Sequence, residues 1–356
     1  MSRQALGGRP SGVIERFRDH LPVTHSTPAV SLGEGNTPLI RSSRLSDETG
    51  AEVWLKYEGL NPTGSFKDRG MTVAISKAME EGSRAVVCAS TGNTSASAAA
   101  YAARAGLVCG VLIPEGNVAM GKLAQALMHG ARVLQIGENF DRALALVREV
   151  GRDSSVTVVN SINPYRVEGQ KTAAFEIVQA LDRAPDFHFM PVGNAGNITA
   201  YWRGYREAKE LGWCSQLPQM MGFQAEGASP IVKGHPIEHP TTVATAIRIG
   251  NPASWKGAVA AAEESGGVIE AVRDKEIIES HRALALEGIF VELASAAGVA
   301  GLRALSQRNV VKPGSVVVCV LTGHGLKDPE WAISAAARPR PVSAHAETIL
   351  AELDLI

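Results

Sequence analysis

From Ala85 to Leu321, short runs rich in Val, Ile and Cys alternate with longer stretches rich in Ala, Glu and Arg, and this alternation is what most restricts the possible folds. Short apolar runs suit strands of a parallel sheet, and parallel strands need long crossovers, usually helices. The class read from this order is α/β. Strands are expected at Ala85–Ala89, Leu107–Ile113, Arg132–Ile136, Val156–Asn160, Phe187–Val192, Met220–Gln224 and Ser315–Leu321. Helices are expected at Thr72–Glu81, Thr94–Ala105, Ala119–His129, Asp141–Val150, Glu168–Leu181, Thr199–Glu210 and Ala296–Ser306, with Gly106, Gly130 and Gly151 as C-terminal caps. The unit repeated between Ala85 and Asn160 predicts one small open sheet, and Phe187–Leu321 supplies strands for a second. A chain of 356 residues suits about two such domains. No linker separates them cleanly, so the chain is expected to cross between them more than once.

Several function classes are excluded early. Lys+Arg 35 against Asp+Glu 36 leaves a formal charge of -1, which provides no field for nucleic acid or an acidic membrane. Aromatic residues at 5% leave little material for stacking bases. Cys88, Cys109, Cys214 and Cys319 form no C-x-x-C pair, so neither a zinc ribbon nor a thioredoxin-like motif is present. Cys88, Cys109 and Cys319 fall in strand-like runs and read as small buried apolar residues. The start, MSRQALGGRPSGVIERFRDH, has no apolar core of a signal peptide, and no apolar run approaches the roughly 20 residues of a membrane span. A cytoplasmic, reducing location is expected. The proline-rich stretch Arg338–Ser343 reads as an extended surface link to a last short helix.

Three clusters of Gly, Asn, Ser and Thr lie between a strand and a helix start: Ser90–Ser95 (STGNTS), Gly193–Thr199 (GNAGNIT) and Thr322–Asp328 (TGHGLKD). In a parallel α/β domain that is the carboxyl edge of the sheet, where ligands bind. Glycine lets backbone N–H groups approach an anion, and a helix N-terminus adds positive potential. A phosphate or carboxylate ligand follows. The segment Asn61–Gly70 (NPTGSFKDRG) places Lys67 after a Pro-Thr-Gly turn and before the helix expected near Thr72, with Ser65 and Asp68 as candidate caps and Phe66 as an apolar wall. A lysine held at the edge of an anion site suits a Schiff base, because desolvation and neighbouring cations lower its pKa. Two patterns carry less. Gly116–Leu123 (GNVAMGKL) matches G-x-x-x-x-G-K but has Leu123 where a nucleotide-binding loop needs Ser or Thr, and Pro114-Glu115 is expected to end the preceding strand early. His235 and His239 have a metal-like spacing, but Pro236 and Pro240 preclude a regular helix there.

In combination, NPTGSFKDRG, STGNTS, NPYRVEGQKT (Asn163–Thr172), GNAGN (Gly193–Asn197), VELASAAG (Val291–Gly298) and TGHGLKDP (Thr322–Pro329) resemble the threonine synthase family, one of the fold-type II pyridoxal-phosphate enzymes. The likeness runs from about Glu34 to Pro329. It implies two open-sheet α/β domains, as in the tryptophan synthase β-subunit, with pyridoxal 5′-phosphate in the cleft between them. It further implies residues 1–54 packing mainly on the large domain, 55–160 as the small domain, 161–356 as the large one, and a homodimer. Lys67 would form the Schiff base. The loop of Gly193, Asn194, Ala195, Gly196 and Asn197 would hold the cofactor phosphate, Asn93 would contact its 3-oxygen and Thr322 would face its ring nitrogen. The substrate carboxylate would sit on Ser90, Thr91 and Asn93, and the substrate phosphate near Thr94, Ser161, Arg166 and Asn194. One departure is Leu293, where the family pattern has Pro, so this loop loses a fixed φ and gains a donor.

The implied reaction converts O-phospho-L-homoserine and water to L-threonine and phosphate, by loss of phosphate from the γ-carbon and addition of water at the β-carbon. A serine/threonine dehydratase or a cysteine synthase would use the same Lys67 and cofactor loops without a second anion site, so Arg166 and Ser161 discriminate. A catalytically silent anion-binding module would not need Lys67.

Overall fold

The computed structural model describes residues 12–115, 120–138, 140–335 and 339–355. Its strands are β1 (Leu39–Arg41), β2 (Glu52–Tyr57), β3 (Ala85–Ala89), β4 (Val108–Pro114), β5 (Arg132–Ile136), β6 (Val156–Val158), β7 (Phe187–Pro191), β8 (Gln219–Ala225), β9 (Val268–Val272) and β10 (Val316–Leu321). They form two sheets, one of four strands in the order β5-β4-β3-β6 and one of six in the order β1-β2-β10-β7-β8-β9. Every pairing is parallel except β1 with β2. The chain enters the six-stranded sheet, leaves to build the four-stranded one, and returns, with β10 inserted between β2 and β7.

All seven expected strands occur, within a residue or two at their ends. Strand β4 runs through Pro114 rather than stopping short of it. Beyond the end of β6, Asn160 continues the pairing with its side chain, which donates to Ala89 O at 2.9 Å and accepts Ala89 N–H at 3.0 Å. Three further strands were not foreseen. β1 has three residues, β9 is partly exposed throughout most of its length, and β2 carries Glu52 and Lys56, which break the apolar pattern. Cys88, Cys109 and Cys319 are buried in β3, β4 and β10. Gly106 and Gly130 have left-handed φ values of 70° and 79° at helix ends, and Gly151 follows its helix without one. Residues 116–119 of the GNVAMGKL segment, Ala119 at the expected helix start and Arg338 of the proline-rich stretch lie outside the described residues.

Two helix starts differ from expectation in a way that matters for the site. The helix Lys67–Glu80 begins at Lys67, five residues before Thr72. Neither candidate cap acts as one: Phe66 is the N-cap, and Asp68 turns back to accept Thr63 N–H at 2.7 Å and the hydroxyls of Thr63 and Ser97 at 2.6 Å each. The Ser65 hydroxyl is buried without a partner. The helix Pro164–Leu181 begins four residues before Glu168, with Pro164 in its first turn and the Asn163 side chain accepting Tyr165 N–H at 3.0 Å. Arg166 is therefore inside the first turn rather than ahead of it. These two helices touch at glycines. A Cβ on Gly169 would lie 1.9 Å from Arg69 O, and one on Gly70 would lie 2.5 Å from Arg166 O.

A buried ionic network locks the same crossing. Arg69 is fully buried between two carboxylates, bonding Glu58 through Nε at 2.6 Å and Nη2 at 2.8 Å, and Glu176 through Nη1 at 2.8 Å and Nη2 at 2.7 Å. Lys56 of β2 donates to Glu176 at 2.7 Å and to Thr37 O at 2.7 Å. The two buried cations meet two buried anions, and the partly exposed Arg16 adds a longer contact to Glu176 at 3.7 Å. Burial alone would raise the carboxyl pKa values, yet the charge and hydrogen bonds of Arg69, with Lys56, hold both below the ordinary range. Arg69 follows Lys67 by two residues, so the network also fixes where Lys67 stands.

Candidate active site

The loops that follow β3, β6, β7 and β10 at their carboxyl ends face one cleft of about 1940 Å³ between the sheets, and all thirteen site residues named from the sequence line it. That volume exceeds the roughly 300–1,000 Å³ of a typical small-molecule site, which suits two ligands bound together.

Lys67 opens its helix with the ammonium 4.2 Å from the centre of the Phe66 ring. Burial and the positive charge of Arg166 push its pKa down to about 7, opposed by Glu292. Near neutral pH a large fraction of Lys67 is consequently the free amine, the form that attacks a carbonyl. Arg166 is almost fully buried. Its Nη1 donates to Val159 O at 3.1 Å, while Nε and Nη2 have no partner. No ion pair reaches it among the described residues. Burial pushes this guanidinium down to about 10, so it stays a cation at neutral pH. A buried cation with two idle donors on a cleft wall is arranged for an anion that is not part of the protein.

The GNAGN loop starts the helix Gly196–Glu210, with Ala195 at the N-cap in left-handed conformation, φ 65°. The helix begins three residues before Thr199, so the loop's N–H groups belong to a helix N-terminus. Asn197 is buried with neither side-chain atom partnered. Asn194 donates to Ser161 Oγ at 2.5 Å and accepts Ala253 N–H at 2.7 Å, so Ser161 and Asn194 are brought together. In the STGNTS loop, Ser90 Oγ accepts the N–H groups of Gly92 at 3.2 Å and Ser95 at 3.3 Å. Thr91 and Thr94 are partly exposed to the cleft. Leu293 is buried and opens a one-turn 3-10 helix, Leu293–Ser295. Without a proline that loop is tied by Glu292 N–H to Gly323 O at 2.9 Å and by Gly323 N–H to Ser295 Oγ at 3.1 Å.

Sequence reasoning missed Glu292 and Lys327. Glu292 is buried beside Lys67, accepting from Asn93 Nδ2 at 2.9 Å and Thr322 Oγ1 at 3.1 Å. Burial raises its pKa, against the hydrogen bonds of Asn93 and Thr322 and the charges of Lys327 and Lys67. Lys327 crosses the cleft, donating to Thr63 O at 3.1 Å and to Gln125 Oε1 of the helix Met120–Met128. Both stand in VELASAAG and TGHGLKDP, but a single Glu or Lys in a loop gives no sign of burial. Among the described residues no group of three or more His, Cys, Asp or Glu is placed to hold a metal, and no helix is long and apolar enough to cross a membrane.

A lysine amine near neutrality, a helix N-terminus with an orphaned Asn amide, and a cleft at the carboxyl ends of the parallel strands of two sheets define a class of cofactor-dependent enzyme. The chain belongs to the pyridoxal-phosphate-dependent enzyme family, whose pattern matches residues 30–323. It is 60% identical to a threonine synthase of Halalkalibacterium halodurans over 91% of this chain and 91% of that one. It is 56% identical to a threonine synthase of Mycobacterium bovis over 97% of this chain and 96% of that one. Among solved structures, a maize serine racemase superposes with a TM-score of 0.73 at 19% identity, covering 84% of this chain and 91% of its own. That likeness shows the fold, which is the fold-type II architecture of two α/β sheets flanking one cleft.

Proposed function

We propose that this chain is a threonine synthase, converting O-phospho-L-homoserine and water to L-threonine and phosphate. The observation that carries the reading is Arg166: a buried guanidinium with two unpartnered donors, lining the same cleft as Lys67 and the Ser161–Asn194 pair. The identity to threonine synthases over nearly the whole chain supports it.

The residues fit pyridoxal 5′-phosphate, as the orphaned Asn197 amide at a helix N-terminus indicates. Lys67 would link to it, Gly193–Asn197 would hold its phosphate, Asn93 its 3-oxygen, and Thr322 would face its ring nitrogen. When bound, the cofactor supplies an electron sink for the carbon that loses a proton. Ser90, Thr91 and Asn93 at the start of the helix Asn93–Ala105 hold the substrate carboxylate. Arg166, with Thr94, Ser161 and Asn194, holds the substrate phosphate and stabilises it as it leaves the γ-carbon. Lys67 would take the proton from the α-carbon and move protons at the β-carbon. The working unit in this reading is a cytoplasmic homodimer, checked by a solution mass of twice 37.5 kDa. In the same reading residues 55–160 would form the small domain that carries the substrate-carboxylate loop and 161–356 the large one, with 1–54 packed mainly on the large one.

Arg166→Ala is the test. Truncating one partner of a desolvated charge pair costs about 2–5 kcal/mol, and a loss of that size in kcat/KM for O-phospho-L-homoserine is expected. The covalent link at Lys67 remains, so the near-visible absorbance of the holoenzyme survives. Slow deamination of L-serine or L-threonine, which carry no phosphate, changes far less. Equal losses on both kinds of substrate would return Arg166 to a structural role and leave a dehydratase as the better reading. Gly196→Val is expected to weaken cofactor retention. The nearest protein atom to a Cβ there is Ser254 Oγ at 3.6 Å, so the protein has room and the obstruction falls on the ligand. Unchanged cofactor affinity by titration would contradict the assignment of this loop.

A further inference from the structure

Lys327 touches three separate parts of the fold. It ends the one-turn 3-10 helix Gly325–Lys327 that follows β10 of the six-stranded sheet. Its stem lies over Gly64, where a Cβ would come 3.1 Å from Lys327 Cδ and the backbone holds a left-handed φ of 83°. Its amine donates to Thr63 O at 3.1 Å and to Gln125 Oε1 on the helix Met120–Met128, which lies between β4 and β5 of the four-stranded sheet. Thr63, four residues before Lys67, is held from its other side by Asp68, which accepts the Thr63 N–H and hydroxyl together with the hydroxyl of Ser97 on the helix Asn93–Ala105. The helix Met120–Met128 carries none of the residues named for cofactor or substrate, so the bond to Gln125 serves no ligand contact. It stands in the cleft wall all the same, since Thr63, Gln125 and Lys327 all line the opening. Burial lowers the Lys327 pKa against the charges of Glu292 and Asp68, but an amine that has lost one proton keeps two hydrogens, so both bonds form in either state.

We propose that Lys327 is a positioning residue that keeps the cleft closed during turnover: through Gln125 it braces the four-stranded sheet against the turn that leads into Lys67, and so shelters the amino acid between loss of phosphate and addition of water. The inference rests on the reading above that phosphate leaves the γ-carbon before water adds at the β-carbon. In that interval the four-carbon skeleton is unsaturated, and two outcomes compete. Addition of water at the β-carbon gives L-threonine. Protonation of the skeleton followed by hydrolysis at the carbon that bears nitrogen also consumes one water and gives 2-oxobutyrate and ammonia, so each route accounts for one phosphate. The second route draws on water that enters from outside, and a closed site suppresses such side reactions.

The test counts threonine, 2-oxobutyrate and phosphate made by the holoenzyme from O-phospho-L-homoserine. Lys327→Met keeps an unbranched stem over Gly64, and Gln125→Leu keeps the bulk of the helix face. Each should raise the oxo acid formed per phosphate about tenfold, the scale of one hydrogen bond involving a charged group. The double variant should go no further, because both changes remove the same bond. A shift in Lys327→Met with none in Gln125→Leu is the pattern of a lysine acting directly on substrate and would overturn the brace. So would a ratio unchanged in both, or effects that add in the double variant. Hydrogen exchange in the helix Met120–Met128 gives a reading independent of turnover: it should quicken in each single variant and no more in the double one, and exchange unaltered in both overturns the brace even where the product ratio shifts. Absence of phosphate release from the unaltered holoenzyme would sink the reading of the reaction, and the brace would then stand or fall on exchange alone.

Discussion

Lys67→Ala is expected to abolish threonine formation and remove the near-visible absorbance of the covalently linked cofactor, while the cofactor phosphate site stays intact. Loss of a positioned acid/base group alone lowers rates by about 10²–10⁴-fold, and this variant loses the covalent anchor as well. Nothing nearby replaces it. Lys327, the other lysine on the cleft, is held by Thr63 O and Gln125 across the opening. The pH dependence of cofactor uptake by the apoenzyme gives a second check. Because burial and Arg166 push Lys67 down to about 7, the neutral amine accumulates as pH rises through about 7, and the uptake rate should climb there rather than near the ordinary lysine value of 10.5. In Arg166→Ala one depressing charge is gone, so the midpoint should move upward. Turnover near normal in Lys67→Ala, or an uptake midpoint unaffected by Arg166→Ala, would contradict the site geometry.

Glu58→Ala should be among the most damaging changes away from the cleft lining. Glu58 is fully buried and receives Arg69 twice, Thr37 Oγ1 at 2.7 Å and Asn61 Nδ2 at 3.0 Å. Its loss leaves the buried cations Arg69 and Lys56, with Arg16 at the edge, against the single charge of Glu176, and breaking a buried pair from one side costs about 3–5 kcal/mol. Urea denaturation followed by fluorescence and by near-visible absorbance should show that loss, and Glu58→Gln should recover part of it through shape and hydrogen bonding. The network also predicts acid sensitivity. A carboxyl with depressed native pKa contributes stability above its unfolded pKa and loses it as pH falls through the native value, so the contribution of Glu58 and Glu176 should disappear only below the ordinary carboxylate range. A variant as stable as the parent at neutral pH would refute the ionic account of this crossing.

Much of the architecture was legible because its signals are local. The apolar runs that became β3, β5 and β7 were bounded by residues that end strands, and the Asn-Pro of Asn163–Pro164 is a local helix start, although the expected helix was placed four residues late. β2 was hidden for a nonlocal reason. Lys56 and Glu52 read as solvated charges until Glu176, 120 residues away in sequence, is seen to neutralise Lys56. Glu292 was missed likewise, since its burial depends on Asn93 and Thr322 closing around it from two different sheets.

By itself the sequence determined the α/β class, the three Gly- and Asn-rich turns at strand ends and the lysine beside them, because backbone preference and period act over a few residues. The tertiary structure alone decided that Lys67 and Arg166 share a wall. That follows from two helices meeting at Gly70 and Gly169, where only the absence of a Cβ permits backbone contact, and from Arg69 being clamped between carboxylates of different elements. The depressed Lys67 pKa and the idle donors of Arg166 are consequences of that burial, and burial is a property of the packed molecule rather than of any segment.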